Sequence, residues 1–203
     1  MKLYFKPGAC SFVPHFALEK INQPYEAEAV TQEYMKSPEY LALNPQGAVP
    51  LLVDGNLVLS QNLAILAYLD DLYPQAKLFG SDSAKGKAIA FRWLAFLNSD
   101  LHKAFVPLFH VPPYVQDESL KQAIQKTAKE NILGMLTQAN HCLSKQNYLG
   151  EDVSVADIYL FTILSWCKFV DLDFSSLTHL TEFAQRIAAL DIVKRVQKAE
   201  GLI

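Results

Sequence analysis

Cys10 is the residue whose place in the sequence most favours reactivity. It falls between a short β-prone run, Lys2–Phe5, and a helical pattern that begins at Ser11. The positive end of a helix dipole at that point favours a thiolate over a thiol. Three residues on, where a dithiol motif has its second cysteine, stands Val13. Dithiol exchange is therefore excluded. What remains is a monothiol able to attack or to form a mixed disulfide, or a half-buried structural cysteine. Ser11 either supplies a second hydroxyl from the helix start or simply caps it.

A second stretch, Asn44–Leu66, offers binding chemistry. Its apolar runs Leu51–Val53 and Leu57–Leu59 flank Asp54-Gly55-Asn56 and read as a β-hairpin. Pro50 stands at the strand entry and donates nothing to a ladder, which leaves the backbone of Val49 free to pair with an extended peptide. Ser60-Gln61-Asn62 precede an apolar helical segment, whose start suits a carboxylate. Together these describe either a site for a short peptide with an acidic end, or an ordinary hairpin and cap.

His102 and Lys103, beside Ser99 and Asp100, form the third candidate: a cationic pair for an anionic ligand, or a solvated helix face. His15, His110, His141 and His179 are isolated, and no metal-ligand spacing exists, so no metal is expected.

The elements that must position these residues fall into two sets. Strands at Lys2–Phe5 and Tyr25–Val30, helices at Ser11–Ile21 and Pro38–Leu43, then the hairpin and a helix from Asn62 to Tyr73 predict a small α/β domain. Strand–cysteine–helix followed by a second such unit is a thioredoxin-like layout. Beyond residue 83 only helices are predicted: Lys85–Phe109 disturbed at Pro107, Asp117–Leu143, Ile158–Val170, Leu177–Leu190 and Ile192–Ala199. The expected boundaries are 1–77 for the thioredoxin-like domain, 78–86 for a linker and 87–203 for the helical bundle. Ser154 and Asp157, flanked by Val153 and Ile158, predict a capping pair at the start of the buried helix, worth about 1 kcal/mol.

A chain of 203 residues with 51% hydrophobic and 19% charged residues can bury a substantial core. A net charge of −3 with no basic tract gives no case for nucleic acid or for a membrane surface. No N-terminal run is apolar enough for a signal peptide. Three scattered cysteines, Cys10, Cys142 and Cys167, argue against a disulfide framework and for a reduced, cytoplasmic setting.

Taken in order, the runs Lys2–Ser11, Asn44–Pro50 and Ser60–Leu66, then His102-Lys103 and Ser154–Asp157, resemble the glutathione S-transferases. Gly8-Ala9-Cys10-Ser11 is similar to the bacterial beta class in particular. The resemblance spans the chain and implies a thioredoxin-like domain, a helical domain and a homodimer. It implies a cis Pro50 after Val49, whose backbone would pair with the cysteinyl part of glutathione, the co-substrate. Gln61 and Asn62 would hold the γ-glutamyl end, and Ser99 would reach the partner subunit's ligand. Cys10, Ser11 and His102 would lie by the sulfur, with Lys103 beside them.

Conjugation to a small hydrophobic electrophile is the activity so implied, with Phe105, Phe109, Tyr114 and Trp166 as candidate walls. Reduction of disulfides or peroxides through Cys10 is the alternative. A non-catalytic, ligand-storing or transcription-associated member is a third reading, opposed by the intact Cys10, Gln61 and Asn62. A zeta-class isomerase would need a Ser-Ser-Cys start, and Ala9-Cys10-Ser11 stands there. Two positions depart from the beta-class pattern: Gln61 replaces a glutamate and Ala95 an asparagine.

Overall fold

The computed structural model describes residues 1–203. A four-stranded sheet has the order β2-β1-β3-β4, with β1 at Lys2–Phe5, β2 at Glu26–Ala29, β3 at Leu51–Asp54 and β4 at Leu57–Ser60. β1 and β2 are parallel, joined through helix α1 (Phe12–Ile21), while β3 lies antiparallel to β1 with Leu3 opposite Leu52. The β3–β4 hairpin turns at Gly55-Asn56 and is antiparallel. Its register puts Leu52 opposite Leu59, so one face of the hairpin meets the core.

Helix α2 (Pro38–Leu43) starts where the Ser37 hydroxyl accepts from the Tyr40 N–H, with Pro38 in the first turn. Helix α3 (Asn62–Leu72) lays Ile65, Leu66 and Leu69 into the main core, all fully buried. This is the thioredoxin-like arrangement expected from the order of elements.

The remainder is helical: α4 (Ala84–Phe96), α5 (His102–Ala104), α6 (Val106–Phe109), α7 (Glu118–Leu143), α8 (Val155–Phe169), α9 (Thr178–Ala188) and α10 (Asp191–Ala199). The long helix expected over Lys85–Phe109, disturbed at Pro107, is interrupted there and at one further point. A π-helical turn, Leu97–Leu101, is inserted after α4, and the chain restarts at Val106 with Pro107 in the new first turn. The wide turn keeps Leu97 and Leu101 buried yet shifts the phase of the next residues, so His102 and Lys103 emerge on a cleft. Periodicity at 3.6 residues per turn could not show that shift.

Helix α8 is the centre of the bundle. The Asp157 carboxylate accepts from the Leu149 N–H (2.8 Å), the Ser154 N–H (2.9 Å) and the Ser154 hydroxyl (2.7 Å). Ser154 thus donates its hydroxyl to its partner at the cap. Val153 and Ile158 pack on the same core cluster. Desolvation nonetheless outweighs these three donors and pushes the Asp157 carboxyl up to about 6.

The segment 78–86 is no free spacer. Leu78 and Phe79 are buried, the Leu78 carbonyl accepts from the Val155 N–H at 2.9 Å, and α4 already begins at Ala84. One cluster of 40 buried residues runs from Leu3 in β1 to Val196 in α10, so the two parts share a core. No helix is long and apolar enough to cross a membrane.

Candidate active site

The turn before α1 sets the site. Gly8 has φ +69, a left-handed conformation that suits glycine, and the helical part grips it from two sides. The Trp166 indole N–H donates to the Gly8 carbonyl (2.8 Å), and the Gly8 N–H donates to Glu200 Oε2 (2.9 Å). Cys10 comes next in the turn, half-buried, its thiol donating to the Val49 carbonyl at 3.6 Å.

The expected thiolate is not what this setting favours. Burial pushes the Cys10 thiol up to about 11, although Asn62, its own backbone N–H, Lys103 and Tyr159 all pull the other way. Desolvation wins over the helix start. Ser11 is a further correction. It is fully buried; its hydroxyl donates to the Lys6 carbonyl and accepts from the Lys6 N–H, so it neither faces the cleft nor caps α1.

The second wall comes from the segment before β3. Tyr40 Oη (2.9 Å) and Asn44 Nδ2 (2.7 Å) both donate to the Ala48 carbonyl. Gly47 has φ +57 and would meet the Met35 carbonyl at 2.9 Å if it carried a Cβ. These bonds hold Val49 in line for the cis Val49–Pro50 peptide, with the Val49 N–H making no hydrogen bond within the chain. That leaves one free donor just ahead of β3.

Gln61 turns the chain from β4 into α3 with φ +73, unusual for a residue with a side chain and worth about 1–3 kcal/mol of strain. Its amide donates to Gln46 Oε1 at 2.9 Å, so Gln46 joins the site, a residue sequence reasoning did not assign. Asn62 is only 3% exposed, and no side chain caps α3. Its amide lies against Cys10 and Tyr159, and its Oδ1 has no partner. The Asn62 side chain, expected at the γ-glutamyl end, is instead packed beside the Cys10 thiol.

The third wall is helical. His102 Nδ1 lies 2.8 Å from the Tyr159 hydroxyl, which donates to Asn98 Oδ1 at 3.2 Å. The His102 ring meets Trp166 edge-on at 4.7 Å. Burial first, then Lys103, pulls the His102 imidazole down to about 4, so it is neutral at pH 7. Tyr159 is fully buried, and desolvation drives its phenol far above the usual range. Neither Tyr159 nor Asn98 stood out in the sequence. A tyrosine within the apolar run of α8 was the available signal, because a buried phenol seeks a partner.

These walls enclose a cleft of about 920 Å³. It brings together Cys10, Val49, Pro50, Gln61, Asn62, His102 and Lys103. Ser11 and Ser99 are not among its lining residues; Ser99 is exposed, with its hydroxyl bonded to the Ala95 carbonyl. Of the aromatic candidates, Trp166 and Phe109 line the cleft and are joined by Phe169. Phe105 is buried behind them, and Tyr114 is 82% exposed and elsewhere.

Residues 1–71 match the family described as glutathione S-transferase, N-terminal domain, and residues 104–191 its C-terminal counterpart. Glutathione S-transferase GST-4.5 of Xanthomonas campestris pv. campestris is 42% identical over 203 residues, all of both chains. A glutathione S-transferase from Xylella fastidiosa has a similar structure, with a TM-score of 0.95 at 40% identity, over 100% of this chain and 99% of that one. Two sphingomonad enzymes each give 0.87 over the whole of both chains. One, complexed with glutathione, is 34% identical; the other, described as bacterial beta class, is 35% identical. With both family regions matched and such identity along its full length, this chain belongs to the glutathione S-transferase family.

Proposed function

We propose that this chain conjugates the thiolate of glutathione to a small apolar electrophile in the cleft between its sheet and its helices. The observation that carries the reading is the juxtaposition of the unpaired Val49 N–H, the Asn62 helix start and Lys103 in one cleft beside Cys10 and His102. The free Val49 N–H would pair with the backbone of the cysteinyl unit. Gln61, the free backbone N–H groups where α3 opens at Asn62, and the α3 dipole would take the γ-glutamyl end. Phe109, Trp166 and Phe169 would supply the apolar wall for the electrophile.

Catalysis in this reading rests on the sulfur of glutathione rather than on that of Cys10. A thiol pushed up to about 11 is a poor resting nucleophile, which weighs against a Cys10-based reductase. Cys10 instead forms one side of the sulfur's surroundings. We place the sheet part at residues 1–77 and the helical part at 87–203; the three scattered cysteines favour a cytoplasmic setting, and a homodimer fits the exposed apolar residues Leu72 on α3 and Phe91 on α4.

Retention on immobilised glutathione, with elution by free glutathione, tests the binding half. Wild type should be retained and Gln61→Ala should bind more weakly. A protein that passes unretained contradicts the reading.

A further inference from the structure

Tyr159, through its hydroxyl, joins His102 of the cleft to Asn98, a link the binding reading leaves unused. Its hydroxyl carries a single proton and has His102 Nδ1 on one side (2.8 Å) and Asn98 Oδ1 on the other (3.2 Å). A carboxamide oxygen only accepts, so the phenol proton is directed to Asn98. The Tyr159 oxygen is then left with lone pairs toward His102, and Nδ1 must be the protonated ring nitrogen. The second ring nitrogen, Nε2, keeps its lone pair. It is the one free of the buried phenol on a ring that lines the cleft.

We infer that Tyr159, oriented by Asn98, is a positioning residue that holds His102 as the Nδ1–H tautomer and so makes Nε2 the acceptor of the glutathione thiol proton. The inference rests on the glutathione reading for its substrate, while the tautomer belongs to the protein alone. In the step, the S–H bond breaks and its proton passes to Nε2, leaving the electron pair on sulfur. That pair forms the carbon–sulfur bond as the electrophile's leaving group departs with its own pair, and Nε2 then returns the proton to solvent. A neutral His102 is in the accepting form throughout the physiological range. The thiolate created beside it stabilises the imidazolium at the moment of transfer, and the Tyr159 oxygen accepts from its Nδ1–H.

Two other features support a pre-set tautomer. Tyr159 is fully buried on α8, so its hydroxyl does not exchange partners with bulk water. The edge-on contact of His102 with Trp166 restrains the ring from flipping. Cys10, Asn62 and Lys103 are the remaining polar groups around the pair, and none of them bonds Nδ1.

The test is the nitrogen NMR spectrum of ¹⁵N-histidine-labelled protein without ligand at pH 7, with His102 assigned by its loss in His102→Asn. The inference expects a protonated Nδ1 and an unprotonated Nε2. Tyr159→Phe, which keeps the ring but removes the oxygen, should lose that preference. It should also lower kcat by about tenfold or more while KM for glutathione moves little, since general-base contributions are about 10²–10⁴-fold. An Nε2–H tautomer in wild type overturns the inference, whether or not the protein binds glutathione. So does a Tyr159→Phe protein with the wild-type tautomer and kcat. Failure to bind glutathione, with the Nδ1–H tautomer in place, would instead count against the substrate reading.

Discussion

Glu200, at the end of α10, and Gly8, two residues before Cys10, are joined across the length of the chain. One Glu200 oxygen accepts from the Gly8 N–H, and the other lies 2.9 Å from Nδ1 of His15 on α1, with both side chains buried. The last helix therefore fixes the turn that presents the thiol. Glu200→Gln puts an amide N–H against one of the two donors. It should cost about 3 kcal/mol, the order seen when a buried charged partner is removed. Conjugation should fall with it, because the Cys10 turn loses its anchor. Denaturant unfolding checks this; a variant within ~0.5 kcal/mol of wild type would refute the anchoring role.

Cys10 should behave as a protonated thiol. Its folded pKa is raised, so the rate of alkylation at Cys10 should climb steadily through about pH 8 and 9, where an ordinary thiol levels off near 8.5. Cys167, fully buried and pushed up to about 12, should lag behind it. Mass spectrometry of pulse-labelled protein reads both sites. A Cys10 rate already on a plateau at about pH 7 would restore the thiolate expected from the helix start.

Asp157 should make stability depend on pH. Its folded pKa is about 6, above the ordinary 3.8, so folding favours the protonated acid. That stabilisation is complete below about pH 4 and is lost as pH rises through about 6. Asp157→Asn cannot titrate and turns an N–H toward the donors of Leu149 and Ser154, so it is less stable throughout. The gap between wild type and variant should be wider at pH 4 than at pH 7 by about 2 kcal/mol. A gap that does not change with pH would show that Asp157 is not perturbed.

Association should bury the apolar surface left on the sheet edge and its neighbouring helices. Leu57 and Val58 on β4, Leu72 on α3 and Phe91 on α4 are exposed at 39, 40, 45 and 41%. Asp70, on α3, pairs with Lys87 through one oxygen while the other has no partner. Sedimentation at micromolar concentration should show a dimer, and Phe91→Asp should shift it to monomer. Monomer alone in wild type would count against this assembly.

The order of elements was legible in the sequence because local signals agreed. Gly55 marked the hairpin, Pro38 opened α2, and Asp157 announced the start of α8. The cis Pro50 and the opening of α3 at Asn62 also stood where the sequence put them. What the sequence hid were the consequences of burial and phase. Ser11 reads as a reactive hydroxyl until its bonds to Lys6 are seen, and Cys10 reads as a thiolate until desolvation is weighed against the dipole. The π-helical turn at Leu97–Leu101 could not be read from a helical repeat, so the meeting of His102, Tyr159 and Asn98 stayed out of view.

Glutathione conjugation in this cleft is read most closely by the steady-state rate with glutathione and an aryl halide. That rate should saturate in both substrates and yield the glutathione thioether. It should persist in Cys10→Ala and collapse in His102→Asn. A rate no faster than the uncatalysed reaction, or one abolished by Cys10→Ala with His102→Asn unaffected, would contradict conjugation through the glutathione sulfur.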